Sequence, residues 1–550
     1  MDDASGADLL AARLVAHGIT TVFGLPGEEN IDVVDAFHDA GIDLIVTRHE
    51  QHAAFMASTH GRLTGRPGVC LATLGPGAIN LFTGLAQAEL GGTPVVALTG
   101  QKARRDNDEG SFQVVDVPAA VRPIIRWATS IDDPRDIESS VDEAFRRSMS
   151  GRPGATLIEL PEDVARETAS ARAPALTDES IGQVEDAAIA AAADRIDEAG
   201  RVVVLAGDGA NRPGPSAALI RFAERTGIGV LATQLGKGAI PELHRNSCRS
   251  LGIHRPDYSH LAIEPADTVI AVGYQPVEHP PLAWNPDEDK TVIHLAPWSA
   301  ASERGYHPAR ALVGDLADTL DRLADAVTPR DPDELTATQQ TIERLLAEED
   351  EGPAFPPSPL AIVRAMRRVL GPDDVVALDN GAYKIWFARH YPTERPQTLL
   401  LDNTLATMGA GLATATEAAR LDPSRRVVAV CGDGGFLMNV QDLQTACELG
   451  LDLTVVIVRD DAYGFIGWHQ EEAGLERRGV ELTNPDYVAL GAAFGATAYR
   501  VGEADDLDDV LARAIAEPGV AIVDCPMDYA INELLGTDLY GRARGEIGWS

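Results

Sequence analysis

Twelve short runs of Val, Ile, Leu, Ala and Thr, four to six residues each, punctuate this 550-residue chain, and most lead into a stretch with helical spacing. They fall at 42–47, 69–73, 94–99 and 156–160, then at 202–206, 229–232, 268–272 and 291–295, then at 375–378, 427–431, 454–459 and 520–524. Continuous apolar runs belong to strands covered on both faces. Strands of that kind joined through helices make parallel sheets. Gly or Pro after many of the runs supplies the turns from strand to helix. The fold class expected is therefore α/β, with three doubly wound parallel-sheet domains. A polar, Ala-rich segment at 162–178 reads as a first linker. Segments 328–333 and 352–359 bracket a charged helical connector. The expected domains are 1–165, 180–330 and 355–550. The first and third share a coarse rhythm, which by itself does not make them duplicates.

Charge narrows the partners. The chain has 84 Asp plus Glu against 46 Lys plus Arg, a net charge of −38. Only Lys102, Lys237, Lys290 and Lys384 are lysines. Such a surface is repelled by phosphate backbones and anionic lipids, so neither nucleic acid nor membrane is an expected partner. The acids are spread along the chain and form no block. This resembles the solvated acidic shell of proteins from salt-loving organisms more than a docking face for a cationic partner. The five cysteines are odd in number and contain no C-x-x-C pair, so they read as buried apolar residues in a reducing cytoplasm. The start Met1-Asp2-Asp3 shows no basic or apolar leader, and no run is long enough to span a bilayer; a cytoplasmic location is expected.

The segment 427–436 carries the strongest chemistry. An apolar strand runs into Gly432-Asp433-Gly434-Gly435, and a helix-like stretch follows over 436–449. Glycines there let the backbone approach an anion, and a helix start offers free N–H groups. An aspartate in such a turn repels phosphate unless a divalent cation lies between them. Asp460, 27 residues on, follows the next apolar run. A right-handed crossover places both acids at the carboxyl edge of one sheet. Gly-Asp-Gly alone is more often a tight turn; with the second acid at this spacing, a Mg²⁺ site is favoured.

These residues resemble a family. Gly-Asp-Gly followed about two dozen residues later by an Asn-Asn-type ending is the fingerprint of thiamine diphosphate enzymes of the acetolactate synthase type, and the resemblance covers nearly the whole chain. It implies pyrimidine-binding, central and diphosphate-binding domains in that order. It also implies Mg²⁺ on Asp433, Asp460 and the Ala462 carbonyl, with Tyr463 and Gly464 beside the cofactor. Arg459-Asp460 stands where Asn-Asn is usual, and an acid at the second position still ligates Mg²⁺. In the first domain, Arg48-His49-Glu50 matches the glutamate that hydrogen-bonds the aminopyrimidine ring, so Glu50 is the expected catalytic residue. Without the resemblance it would be a capping acid. His49 and His52 read as capping or packed. Pro26 and Gly27, Pro76 and Asn80, and Gln113 match further cofactor loops, and Phe112 and Gln113 lie where the family places substrate-side residues. In the third domain, Met408 matches the apolar wedge that holds the cofactor bent, and Thr407 beside it is implied as a further cofactor-binding residue. Tyr383 stands where a histidine often touches the diphosphate.

The resemblance implies a carboligase that decarboxylates pyruvate and joins the two-carbon unit to a second 2-oxo acid. Ile466 and Trp468 are expected near the substrate, in a loop over 462–470 that closes on the site. Another 2-oxo acid decarboxylase, an aldehyde lyase or a sulfoacetaldehyde acetyltransferase remains open as an alternative, and so does a non-catalytic cofactor-binding subunit. The family's assembly implies a homodimer or homotetramer with active sites at the subunit interface, and a regulatory small subunit is an open possibility. The central domain has a glycine turn at 207–210 but reads Ala271-Val-Gly-Tyr-Gln-Pro-Val-Glu278 where FAD-binding members carry Gly-Val-Arg-Phe; FAD is expected to be absent.

Overall fold

All twelve apolar runs become strands, and they build three six-stranded sheets, all parallel. The computed structural model describes residues 4–108, 110–171, 181–253, 255–331 and 333–546. In the first sheet Asp43–Val46, Thr21–Gly24, Gly68–Ala72, Val95–Gln101, Ala155–Pro161 and Trp127–Ser130 lie side by side in that order. In the second the order is Ser247–Ser250, Gly229–Ala232, Val202–Ala206, Thr268–Val272, Thr291–Ala296 and Arg310–Val313. In the third it is Leu399–Leu400, Val375–Leu378, Val427–Gly432, Leu453–Arg459, Val520–Pro526 and Thr497–Arg500. Counted in chain order within each sheet, the first and third share the order 2-1-3-4-6-5, and the second has the dinucleotide-fold order 3-2-1-4-5-6. A shared strand order is more than the rhythm of the sequence alone provided.

The continuous apolar runs do what their pattern requires. Val69, Leu71, Val96 and Leu98 enter the core beneath helices Gly6–Ala16 and Ile137–Met149. Cys70, Ala72, Val95 and Ala97 enter the opposite core, beneath helices Glu50–Thr64 and Gly75–Gly91. Both faces are covered. Of the six long-sheet strands without a matching run, five lie at sheet edges: Trp127–Ser130, Ser247–Ser250, Arg310–Val313, Leu399–Leu400 and Thr497–Arg500. An edge strand is hydrogen-bonded on one side and is not obliged to be apolar throughout. The sixth, Thr21–Gly24, is interior but only four residues long.

By compactness the chain divides into two units. One comprises Met1–Glu179, Thr404–Pro423 and Leu437–Leu451, and the other Ser180–Asn403, Ser424–Phe436 and Asp452–Ser550. The segment expected as a first linker opens with helix Glu162–Arg166 and a two-residue strand, Thr168–Ala169, paired with Ala4–Ser5; positions 172–178 of it lie outside the described residues. The connector contains helix Asp333–Ala347. Among the described residues no helix is long and apolar enough to cross a membrane.

Candidate functional site

Gly432 lies opposite Val458 on adjacent parallel strands, so Asp433 and Asp460 both emerge at the carboxyl edge of the third sheet. The Asp433 side chain is buried; one oxygen accepts the Gly434 N–H at 2.9 Å and the other the Asn484 amide at 2.7 Å. Burial raises its pKa. The Asp460 carboxyl is pushed up to about 7, first by burial and then by the negative charge of Asp433. The Asp460 carboxyl thus stands against the charge of Asp433, a repulsion that a divalent cation would relieve. The turn requires glycine because its backbone is packed too closely for anything larger. A methyl at Gly434 would sit 2.6 Å from the Tyr463 ring, and one at Gly435 would sit 2.5 Å from the buried Asp379 carboxylate.

Ala462 pairs with Glu481 in a short antiparallel bridge. The bridge bonds are made by its neighbours, Tyr463 N–H to the Val480 carbonyl at 2.7 Å and Leu482 N–H to the Asp461 carbonyl at 2.8 Å. In that pattern the N–H and C=O of Ala462 itself face away from the 480–482 strand. Among the described residues no three His, Cys, Asp or Glu side chains gather as a metal cage, so a cation here would have to rest on two carboxylates and backbone.

Tyr383 is fully buried beneath the glycine turn, where its hydroxyl accepts the Gly432 N–H at 3.0 Å and donates to the Val430 carbonyl at 3.3 Å. The loop expected over 462–470 is mostly helical, as Gly464–Glu472; Ile466 is exposed on it, and Trp468 is half-buried against Phe465. The helix expected over 436–449 is broken. Asp433–Met438 ends at Asn439, followed by a turn at Val440–Asp442 and helix Leu443–Glu448. The Asn439 amide donates to the Gly409 carbonyl at 2.9 Å and to Gln51 at 3.1 Å, which holds the chain out of helical geometry and ties down the segment with Thr407 and Met408, both half-buried.

In the first unit, Glu50 opens helix Glu50–Thr64, and His49 caps that helix by accepting the Gln51 N–H at 3.0 Å. The Glu50 carboxylate is half-buried and accepts from Asn80 at 2.9 Å, so the structure brings these two expected residues together. His52 is fully buried and its pKa is lowered by that burial. Gly27 donates to the Asn30 side chain at 2.8 Å, while Pro26 and Pro76 are exposed. Phe112 and Gln113 sit together on an exposed loop.

Three residues were missed by the sequence reading. Asn484 joins Asp433 to the neighbouring Asp461, to which it donates at 2.8 Å. Asp379 backs Gly435. Lys384 is buried and donates to Asn380 at 2.6 Å and the Asp402 carbonyl at 2.8 Å; burial lowers its pKa to about 8. Only the acid after the first strand of the third sheet, at its topological switch point, offered a signal for any of them.

In the central sheet the equivalent crevice is filled by the chain itself. The Glu278 carboxylate accepts the Asp208 N–H at 3.0 Å and the Thr233 hydroxyl at 2.7 Å. A methyl at Gly207 would sit 2.5 Å from Tyr274 Cα and one at Gly273 2.5 Å from the Ala210 nitrogen, so the two turns are in backbone contact.

Three segments match domains of known enzymes. Residues 4–120 match the N-terminal TPP binding domain of thiamine pyrophosphate enzymes, 189–323 the central domain and 379–525 the C-terminal TPP binding domain. The chain is 35% identical to the acetolactate synthase of Bacillus subtilis over 98% of its own length and 96% of that protein's. It is 35% identical to the catabolic acetolactate synthase of Raoultella terrigena over 98% and 97% of the two chains. With the acetolactate synthase large subunit of Parasynechococcus marenigrum it shares 33% over 94% and 87%.

Proposed function

We propose that this chain, which belongs to the acetolactate synthase-like thiamine pyrophosphate enzymes, is a carboligase that decarboxylates pyruvate and joins the two-carbon unit to a second 2-oxo acid, giving 2-acetolactate. The observation that carries the reading furthest is the pair Asp433 and Asp460 at one sheet edge, each with a raised pKa, above a glycine turn. That donor set fits Mg²⁺ with diphosphate oxygens completing its shell. Asp433, Asp460 and the Ala462 carbonyl would hold the ion. The Gly432–Gly435 turn admits the diphosphate, and Tyr383 fixes the turn from below. Thiamine diphosphate supplies the electron sink for loss of CO₂.

Glu50 supplies the proton link to the cofactor's aminopyrimidine, and Asn80 holds its carboxylate in place. Met408 and Thr407 are proposed to support the bound conformation. Ile466, Trp468, Phe112 and Gln113 are proposed to meet the substrate. Phe112 is 77% exposed and Ile79, beside Asn80, 46% exposed; this apolar rim supports a homodimer in which a second copy completes each active site. We also propose that the central domain takes no FAD. The carboxylate of Glu278 holds the N–H that a dinucleotide's phosphates use in such folds, which supports this reading.

Product analysis tests the reaction. Incubation with pyruvate, thiamine diphosphate and Mg²⁺ should yield acetolactate, and acetaldehyde as the sole product would refute carboligation. Flavin released from the purified protein would refute the FAD-free central domain.

A further inference from the structure

The Asp433 and Asp460 turns come from different strand ends, and their placement needs a fastener. Asn484 lies between them in the loop before helix Tyr487–Phe494. Its amide nitrogen donates to Asp433 at 2.7 Å and to Asp461 at 2.8 Å, and its carbonyl accepts the buried Tyr487 hydroxyl at 2.8 Å. The orientation of the amide is forced. Two carboxylates can only accept, and the Tyr487 hydroxyl can donate, so the nitrogen must face the acids.

Asp461 has a second tether. Arg459, in the place of the family's first Asn, donates to Asp461 at 2.9 Å and to the buried Asp524 at 2.8 Å. Arg500 donates to the other Asp524 oxygen at 2.8 Å and to Asp486, the cap of helix Tyr487–Phe494, at 2.6 Å. Asp461 itself lies in the left-handed region, φ 54°, where its backbone turns between the two acceptors Asp460 and Ala462. The 460–462 turn is thus gripped from both sides.

We propose that Asn484 is a positioning residue for the metal site: it aims Asp433 and, through Asp461, locks the turn that presents Asp460 and the Ala462 carbonyl, with Arg459 as the opposing tether. The departure from Asn at 459 thereby gains a role: Arg459 supplies the counter-charge for Asp461. This inference rests on the metal-site reading above.

The test is Mn²⁺ binding, read from the EPR signal of free Mn²⁺, on full-length protein with thiamine diphosphate present. Asn484→Ala and Asn484→Leu are expected to raise the Mn²⁺ Kd by about tenfold or more, as is usual for groups standing behind metal ligands. Excess Mg²⁺ should restore kcat in the alanine variant, because the ligands themselves remain; a merely structural loss would not be rescued. Kd values within about threefold of wild type overturn the proposal. Should the Asn484 variants not fold, the same criterion applies to Tyr487→Phe, which frees the amide carbonyl and keeps the loop. Asp433→Asn separates the two levels. If it binds Mn²⁺ as wild type does, the metal-site reading itself fails; if it loses Mn²⁺ and the Asn484 variants do not, only the positioning role fails.

Discussion

Replacing Gly434 by alanine isolates what the glycine turn does. The added methyl would lie 2.6 Å from Tyr463 Cε1, 3.0 Å from its Cδ1 and 3.3 Å from Leu482 Cδ1. Carbon atoms settle about 3.5–4.0 Å apart, so the ring must retreat by roughly 1 Å. Tyr463 cannot yield freely. Its N–H is bonded to the Val480 carbonyl, and its own carbonyl accepts from Ile466 and Gly467. The retreat therefore moves the 460–464 turn, and with it Asp460 and Ala462. Overpacking of this kind costs about 1–3 kcal/mol of stability. A displacement of about 1 Å at reacting groups can cost on the order of 100-fold in rate. Gly432→Ala is the internal comparison. Its methyl would stand 3.4 Å from the Tyr383 ring, a misfit of about 0.1 Å, so the cofactor-free protein should lose little stability. The assay is thermal unfolding of both cofactor-free variants, followed by Mn²⁺ affinity and kcat/KM with pyruvate for Gly434→Ala. Wild-type stability in Gly434→Ala together with kcat/KM within about threefold of wild type would refute the reasoning.

Glu50→Gln should lower turnover by roughly 10²–10⁴-fold while Mn²⁺ binding stays as in wild type; unchanged turnover would remove Glu50 from catalysis and revive a non-catalytic subunit. Glu159, buried on the interior strand Ala155–Pro161 beside Gln101 and Ser130, has its pKa pushed up to about 7 by burial. Because the folded value lies above the ordinary one, its stabilising contribution is complete below about pH 4.5 and is lost as pH rises through about 7. Wild type should lose about 2.5 kcal/mol relative to Glu159→Gln between pH 5 and pH 8.5, read by denaturant unfolding, and parallel pH profiles would contradict the assignment. The net charge of −38 predicts self-repulsion that salt relieves, so the melting temperature should climb between about 0.1 M and 2 M KCl; a fall over that range would sink the salt-adapted reading.

The sequence by itself determined the fold class, every interior strand but the four-residue Thr21–Gly24, and the acids at the third sheet's edge. Each is a local or periodic signal. A strand buried on both faces must be apolar throughout, and a turn between strand and helix that must pass an anion needs glycine. The same logic hid the edge strands such as Ser247–Ser250 and Thr497–Arg500, where one free side relaxes the demand. Lysine shows what local reading misses. Among 46 basic residues the four lysines look incidental. Yet Lys237 and Lys384 are buried, Lys102 pairs with the buried Glu29 at 2.6 Å, and Lys290 donates to two carbonyls at 2.8 Å. At Lys384 and Lys290 the compact ammonium meets two acceptors at once, which suits Lys better than a planar guanidinium.

Only the tertiary structure decided how the site is held. The break at Asn439, the carboxylate of Glu278 in the central crevice, and the grip of Asn484 and Arg459 on Asp461 all depend on partners brought close by folding. Asn484 lies 51 residues from Asp433 in the chain, and its amide meets that carboxylate at 2.7 Å. No spacing rule encodes such a pair, because its geometry is set by where two parallel strands and a returning loop happen to end.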